Sequence, residues 1–234
     1  MFVKICCIKS VAEARLAISA GASAIGLVSD MPSGPGVISE DLIAEIARAI
    51  PPTVSSFLLT QQQTANAIIQ QHRICKATAI QMVDAVPINE LHELRRALPE
   101  VKFVQVIHVV DAASVIAAQQ VAPFVDALLL DSGQPTAANK TLGGTGRTHD
   151  WGLSREICET SPAPVFLAGG ISAYNVAQAV AAVNSFGVDV CSSVRTEDVL
   201  DEAKLHAFFA AVRQIDSVRK PTAFSRKFVY SFLA

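Results

Sequence analysis

The sequence predicts an α/β chain folded as a (β/α)8 TIM barrel. Short apolar runs alternate with amphipathic ones, this beat repeats eight times at roughly 25–30 residues per unit, and small-residue strand ends cluster late in the chain. Phe2–Cys6 is the first apolar run, and Val11–Ala20 follows with Ala, Leu and Ile at helical spacing. Ala24–Val28 is the second strand, paired with a helix over Glu40–Ile50 that Pro51 and Pro52 terminate. Strands at Val54–Leu59, Ala79–Met82 and Phe103–Val109 precede helices at Thr64–Gln71, Asn89–Leu98 and Ala112–Ala122. Val125–Leu130 is the sixth strand and leads into a long polar loop. Val165–Ala168 and Val188–Cys191 complete the set, with helices at Asn175–Val183 and Glu202–Ile215. A doubly wound open sheet is the competing architecture, but it more often places its glycine-rich turn after the first strand. One barrel domain over 1–216 is expected. Residues 217–234, with four basic residues and three phenylalanines, form an extension packed on the barrel or at an oligomer contact.

Composition narrows the function. The chain has 234 residues, 51% hydrophobic and only 17% charged, enough for a substantial buried core. A net charge of −2 argues against nucleic-acid binding, and no apolar run reaches the roughly 20 residues of a membrane span. The N-terminus lacks a charged region followed by a long apolar stretch, so no signal peptide is expected. Five scattered cysteines without a Cys-x-x-Cys pattern point to a reduced, cytoplasmic protein.

In a barrel the active site lies at the C-terminal ends of the strands. Cys6-Cys7, Gln81 with Asp84, His108 and Asp131 stand at those ends, and a thiol facing a carboxylic acid suits proton transfer. A thiolate serves as base when neighbouring cationic charge lowers its pKa, and a carboxylic acid serves as acid when burial keeps it partly neutral. Taken singly, Cys6 reads as a small buried strand residue, Asp131 equally as a cap, His108 as a core or rim residue, and His149 as an exposed loop residue. The late segments Leu129–Ser132, Gly143–Gly146, Leu167–Ile171 and Asp189–Ser193 read together as a phosphate site, because glycine turns and helix starts present backbone N–H groups to an anion.

These segments, with Val3-Lys4-Ile5-Cys6 and Gly21–Gly26, resemble the phosphoribosylanthranilate isomerase family of tryptophan biosynthesis. Gly143-Gly-Thr-Gly followed by His149-Asp150-Trp151 is the most specific piece, His149 standing where the family has an aromatic. The resemblance runs in order from residue 3 to about residue 195. It implies an aldose–ketose isomerase that performs an Amadori rearrangement of N-(5′-phosphoribosyl)anthranilate by general acid/base catalysis. It further implies Cys6 as base, Asp131 as acid, and phosphate held near Gly143, Gly144, Gly169, Gly170, Ser192 and Ser193. No metal or organic cofactor is implied. The expected partner is a phosphorylated small molecule, on a monomer or homodimer that binds neither nucleic acid nor membrane.

Departures from the family concentrate close to the substrate, among them the strand-four end Gln81–Asp84 and the strand-eight end Cys191–Arg195. Cys7 replaces the glycine that follows the family's cysteine, and Ser29–Gly36 carries no arginine where the family pairs one with the anthranilate carboxylate. Arg147 and Arg195 are the candidate cations in its place. Three readings therefore stand: this isomerase with a rebuilt aryl pocket, an isomerase of a different phosphosugar, and a non-catalytic phospholigand-binding barrel.

Overall fold

The computed structural model describes residues 1–32, 34–133 and 149–218. Eight parallel strands close into a barrel, each hydrogen-bonded to its sequence neighbour, with the first paired to the last. They are β1 (Phe2–Ile5), β2 (Ala24–Val28), β3 (Ser55–Thr60), β4 (Ala79–Met82), β5 (Lys102–His108), β6 (Ala127–Asp131), β7 (Val165–Leu167) and β8 (Gly187–Val190). Around them run α1 (Val11–Ala20), α2 (Glu40–Ala49), α3 (Ala65–Cys75), α4 (Ile88–Ala97), α5 (Ala113–Val121), α6 (Trp151–Thr160), α7 (Val176–Val183) and α8 (Glu202–Val218). The (β/α)8 expectation holds.

Side-chain alternation divides the strands between two cores. Outward residues such as Ile5, Ile25, Leu58, Ile80, Phe103 and Leu128 are buried under the helices. Inward residues such as Phe2, Phe57, Leu129 and Phe166 fill the barrel, so strands buried on both faces read as continuous apolar runs. Phe166 meets Phe2 edge-on at 5.3 Å and Phe57 at 6.2 Å between ring centroids, closing the barrel floor. The floor seals the N-terminal end and leaves the C-terminal end for the site.

Helix starts follow local chemistry. Ser10, Ser39 and Thr64 each accept from the backbone N–H three residues on, satisfying a donor that the helix cannot. Three segments differ from the sequence expectation. α6 starts on Trp151, capped by Asp150, after the polar stretch; its buried seam is only Ser154 and Ile157, too sparse to announce a helix. α3 extends to Cys75 because the chain leaves it through Lys76 in the left-handed region. After β8, a turn over Ser192–Val194 leads into a hairpin of β9 (Arg195–Thr196) and β10 (Val199–Leu200). Glu197 and Asp198 both have positive φ there, at 48° and 62°, the geometry of a tight two-residue hairpin.

Candidate active site

The charged cluster at the mouth begins with strand register. Lys4 of β1 lies directly beside Asp189 of β8, and both point inward. Lys4 Nζ sits 2.8 Å from Asp189 Oδ2 and 5.6 Å from the Phe57 ring centroid, and Lys4 has no exposed surface. One residue beyond β1, Cys6 donates its backbone N–H to Val190 O at 2.8 Å and is buried beside Lys4. Gly26 of β2 makes this possible. A Cβ there would lie 2.7 Å from Cys6 Sγ and about 3 Å from the Lys4 terminus, so only glycine leaves both side chains their place.

Electrostatics follow from one cation shared by two acids. A hydrogen bond from the Cys7 thiol is the largest influence on Cys6; burial opposes ionisation, Lys4 favours it, and the thiol falls to about 6. Burial pushes Asp189 up to about 8, with Lys4 pulling it back and the Cys6 sulfur raising it further. For Lys4, burial opposes the charge, but Asp189 and Cys6 outweigh it and hold the ammonium above its usual range. A dry cluster with one ammonium supports one anion best, so the thiol ionises while the carboxyl keeps its proton. The result is a thiolate poised near neutral pH.

Two strands from β8, Asp131 ends β6 and accepts from Ser132 N–H at 2.7 Å through Oδ1. Asp131 and Cys6 line the same open cavity, together with Gly169, Gly170, Asp189 and Ser192. Gly169 and Gly170 have φ of 76° and 66°, a region that side chains disfavour. Asn175, just before α7, braces this turn: its Nδ2 donates to Gly170 O at 2.9 Å, and its Oδ1 accepts from Ser172 N–H at 2.8 Å. Gly169 and Gly170 follow β7, and Ser192 and Ser193 open the turn after β8, so their amides stand at the strand ends.

The structure thus brings Cys6, Asp131, Gly169, Gly170 and Ser192 to one cavity, with Ser193 beside them. Gly143, Gly144 and Arg147 lie outside the described residues. Arg195 is turned elsewhere. Its guanidinium holds both Glu13 carboxylate oxygens at 3.0 and 3.1 Å and donates to Cys7 O and Asp198 O, with its side chain almost fully buried. It braces the Cys6–Cys7 backbone against α1 and the hairpin, and it does not line the cavity. His108 bonds Val83 O through Nε2 at 2.9 Å, a rim role. His149 is half-buried rather than exposed: Nε2 hydrogen-bonds Ser154 Oγ at 2.7 Å, and burial lowers its pKa. Lys4 and Asp189 were not singled out from sequence. Their signal was a charge at an inward position on each of two apolar strands that turn out to be neighbours.

Fold and site together define a (β/α)8-barrel enzyme with its chemistry at the C-terminal mouth. A family model described as N-(5'phosphoribosyl)anthranilate (PRA) isomerase matches residues 3–211. The chain belongs to that family. It is 36% identical over 195 residues to the N-(5'-phosphoribosyl)anthranilate isomerase of Methanocella arvoryzae, covering 83% of this chain and 89% of that protein. It is 36% identical over 210 residues to the Halobacterium salinarum protein of the same name, covering 89% and 94%. The solved phosphoribosyl anthranilate isomerase of Thermococcus kodakaraensis superposes with a TM-score of 0.73 at 27% identity, covering 91% of this chain and 98% of that one. The Thermotoga maritima structure reaches 0.78 at 24% identity, covering 93% and 100%, a likeness of fold. No helix among the described residues is long and apolar enough to cross a membrane.

Proposed function

We propose that the protein isomerises N-(5′-phosphoribosyl)anthranilate to the aminoketose, as a cytoplasmic enzyme of tryptophan biosynthesis, with Cys6 as general base and Asp131 as general acid. The observation that carries this reading is the Cys6 thiol, buried beside the Lys4 ammonium, lining one cavity with the Asp131 carboxyl at the end of β6. The phosphate sits on the amides of Gly169, Gly170, Ser192 and Ser193, with Gly143 and Gly144 contributing from the preceding loop. Asp131 protonates the furanose ring oxygen, and the nitrogen lone pair opens the ring to a Schiff base. The Cys6 thiolate removes the C2′ proton, and the resulting enolamine tautomerises to the ketone. Lys4 keeps the thiolate charged until it takes the C2′ proton.

The aryl group has a matching wall. Val28, Met31, Pro35, Leu59, Val83 and Val106 line the cavity away from the amide rim and suit an aromatic ring. No lysine or arginine among the described residues lines that wall, and a charge-assisted bond to carboxylate is worth about 1.5–3 kcal/mol. With Arg195 committed to Glu13, Arg147 is the cation this reading assigns to the carboxylate.

The test is loss of anthranilate-substrate fluorescence with purified protein, the substrate being generated in situ from anthranilate and phosphoribosyl pyrophosphate. Turnover should be present in the wild type and absent in Cys6→Ala and Asp131→Ala. Folded protein that binds phosphate without turnover would move the search to other phosphosugars. Arg147→Ala should raise KM with little change in kcat; an unchanged KM removes that assignment.

A further inference from the structure

We propose that Cys7 and Cys191 form a reversible disulfide across the ends of the first and last strands, an oxidative modification site that switches the neighbouring Cys6 off. The two sulfurs lie 2.7 Å apart, against about 2.05 Å in a disulfide, so bond formation needs only a small closing movement. Both are free thiols, and both line the open cavity, which gives a small oxidant a route to them.

The local backbone is built around this contact. Cys7 adopts φ of 62°, a left-handed conformation costly for a residue with a side chain. Gly36 packs so closely that a Cβ on it would lie 2.5 Å from Cys7 Cβ, and this leaves the thiol beside Cys191. Glycine would adopt that φ freely, so the thiol is held there at a conformational cost. Contacts with Cys191 and Cys6, and then burial, keep Cys7 protonated well above the ordinary thiol range. In that state its S–H supports the Cys6 thiolate.

Oxidation by a low-molecular-weight disulfide, RSSR, balances in two exchanges. The Cys191 thiolate attacks one RSSR sulfur, forming a mixed disulfide and releasing RS−. Cys7 passes its proton to the Cys6 thiolate and attacks the Cys191 sulfur, breaking its bond to R and releasing a second RS−. The protons given up by the two thiols end on the two RSH, directly or through Cys6, and two electrons have reduced RSSR. The hydrogen bond from Cys7 to Cys6 is then gone, so the base is harder to ionise. That consequence rests on Cys6 being the base, whereas the crosslink itself does not.

Native protein is incubated with oxidised glutathione, alkylated, digested and mapped by peptide mass spectrometry, before and after dithiothreitol. A Cys7–Cys191 crosslink is expected, reversed by the reductant, absent in Cys191→Ser and Cys7→Gly, and retained in Cys158→Ser. A Cys6–Cys7 or Cys6–Cys191 link, or a glutathione adduct with no crosslink, overturns the proposal. Turnover of crosslinked protein at neutral pH should fall about tenfold or more, the effect of losing one hydrogen bond to an ion, and return on reduction. A mapped crosslink with unchanged turnover overturns the switch. Reduced protein that shows no turnover but still crosslinks points instead to failure of the isomerase reading.

Discussion

Replacing Lys4 by methionine removes the cation that, among the described residues, the buried cluster shares, while keeping most of its volume. The ammonium is fully buried 2.8 Å from Asp189, so nothing in solvent can take its place. Without it, Asp189 keeps its proton more firmly and Cys6 retains only the hydrogen bonds from the Cys7 thiol and backbone against burial. The Cys6 midpoint must rise from about 6 towards the ordinary thiol value of 9.0. At pH 7 a midpoint of 6 leaves about 90% of the residue as thiolate, one of 8 about 9%, and one of 9 about 1%. Turnover limited by thiolate therefore drops between about tenfold and ninetyfold at pH 7, recovering as pH rises. The assay is the pH dependence of iodoacetamide alkylation at Cys6, followed peptide by peptide, beside kcat/KM. The sign is fixed by the depressed pKa: wild-type reactivity is present above about pH 6 and is lost as pH falls through it. An alkylation midpoint near 9 in the wild type, or one that Lys4→Met leaves unmoved, refutes the reasoning.

Other perturbations separate the parts of the site. Gly26→Ala places a Cβ 2.7 Å from Cys6 Sγ, so it should lower kcat sharply and destabilise the barrel by about 1–3 kcal/mol in urea unfolding. Gly170→Ala forces a side chain to φ of 66° at the amide rim, raising KM and costing about 1–2 kcal/mol by thermal melting. Glu13→Gln strips a nearly buried guanidinium of its carboxylate; about 2–4 kcal/mol of stability should go, less than a fully dry pair because Glu13 keeps a solvent edge. Arg195 first among its partners, with backbone N–H donors beside it, holds Glu13 below its usual range against burial. Its stabilisation is thus present above the ordinary carboxylate pKa and lost as pH falls through the lowered one; an acid limb identical in Glu13→Gln would contradict this.

The barrel was legible because strands buried on both faces are short continuous apolar runs, and β2 and β4 fall on the expected residues. α6 was not, since a helix seated on Ser154 and Ile157 shows almost no apolar stripe. Within the site, Cys6 and Asp131 could be read as strand ends, and the glycines at 169 and 170 as turns. The Lys4–Asp189 pair could not, because it depends on register between strands 185 residues apart in sequence, the gap between 4 and 189. Arg195 misled for a related reason. An arginine just past a strand end looks free to reach a ligand, but the hairpin at Glu197–Asp198 folds it back onto Glu13.

Removal of the C2′ proton by Cys6 is the step on which the account stands. The direct measurement is a single-turnover experiment with substrate deuterated at C2′, following the label by mass spectrometry. Wild-type protein should convert the substrate with a primary isotope effect at a rate that declines below about pH 6, while Cys6→Ala leaves the label in place. Label lost at an undiminished rate from Cys6→Ala would contradict the account and assign the proton to another base.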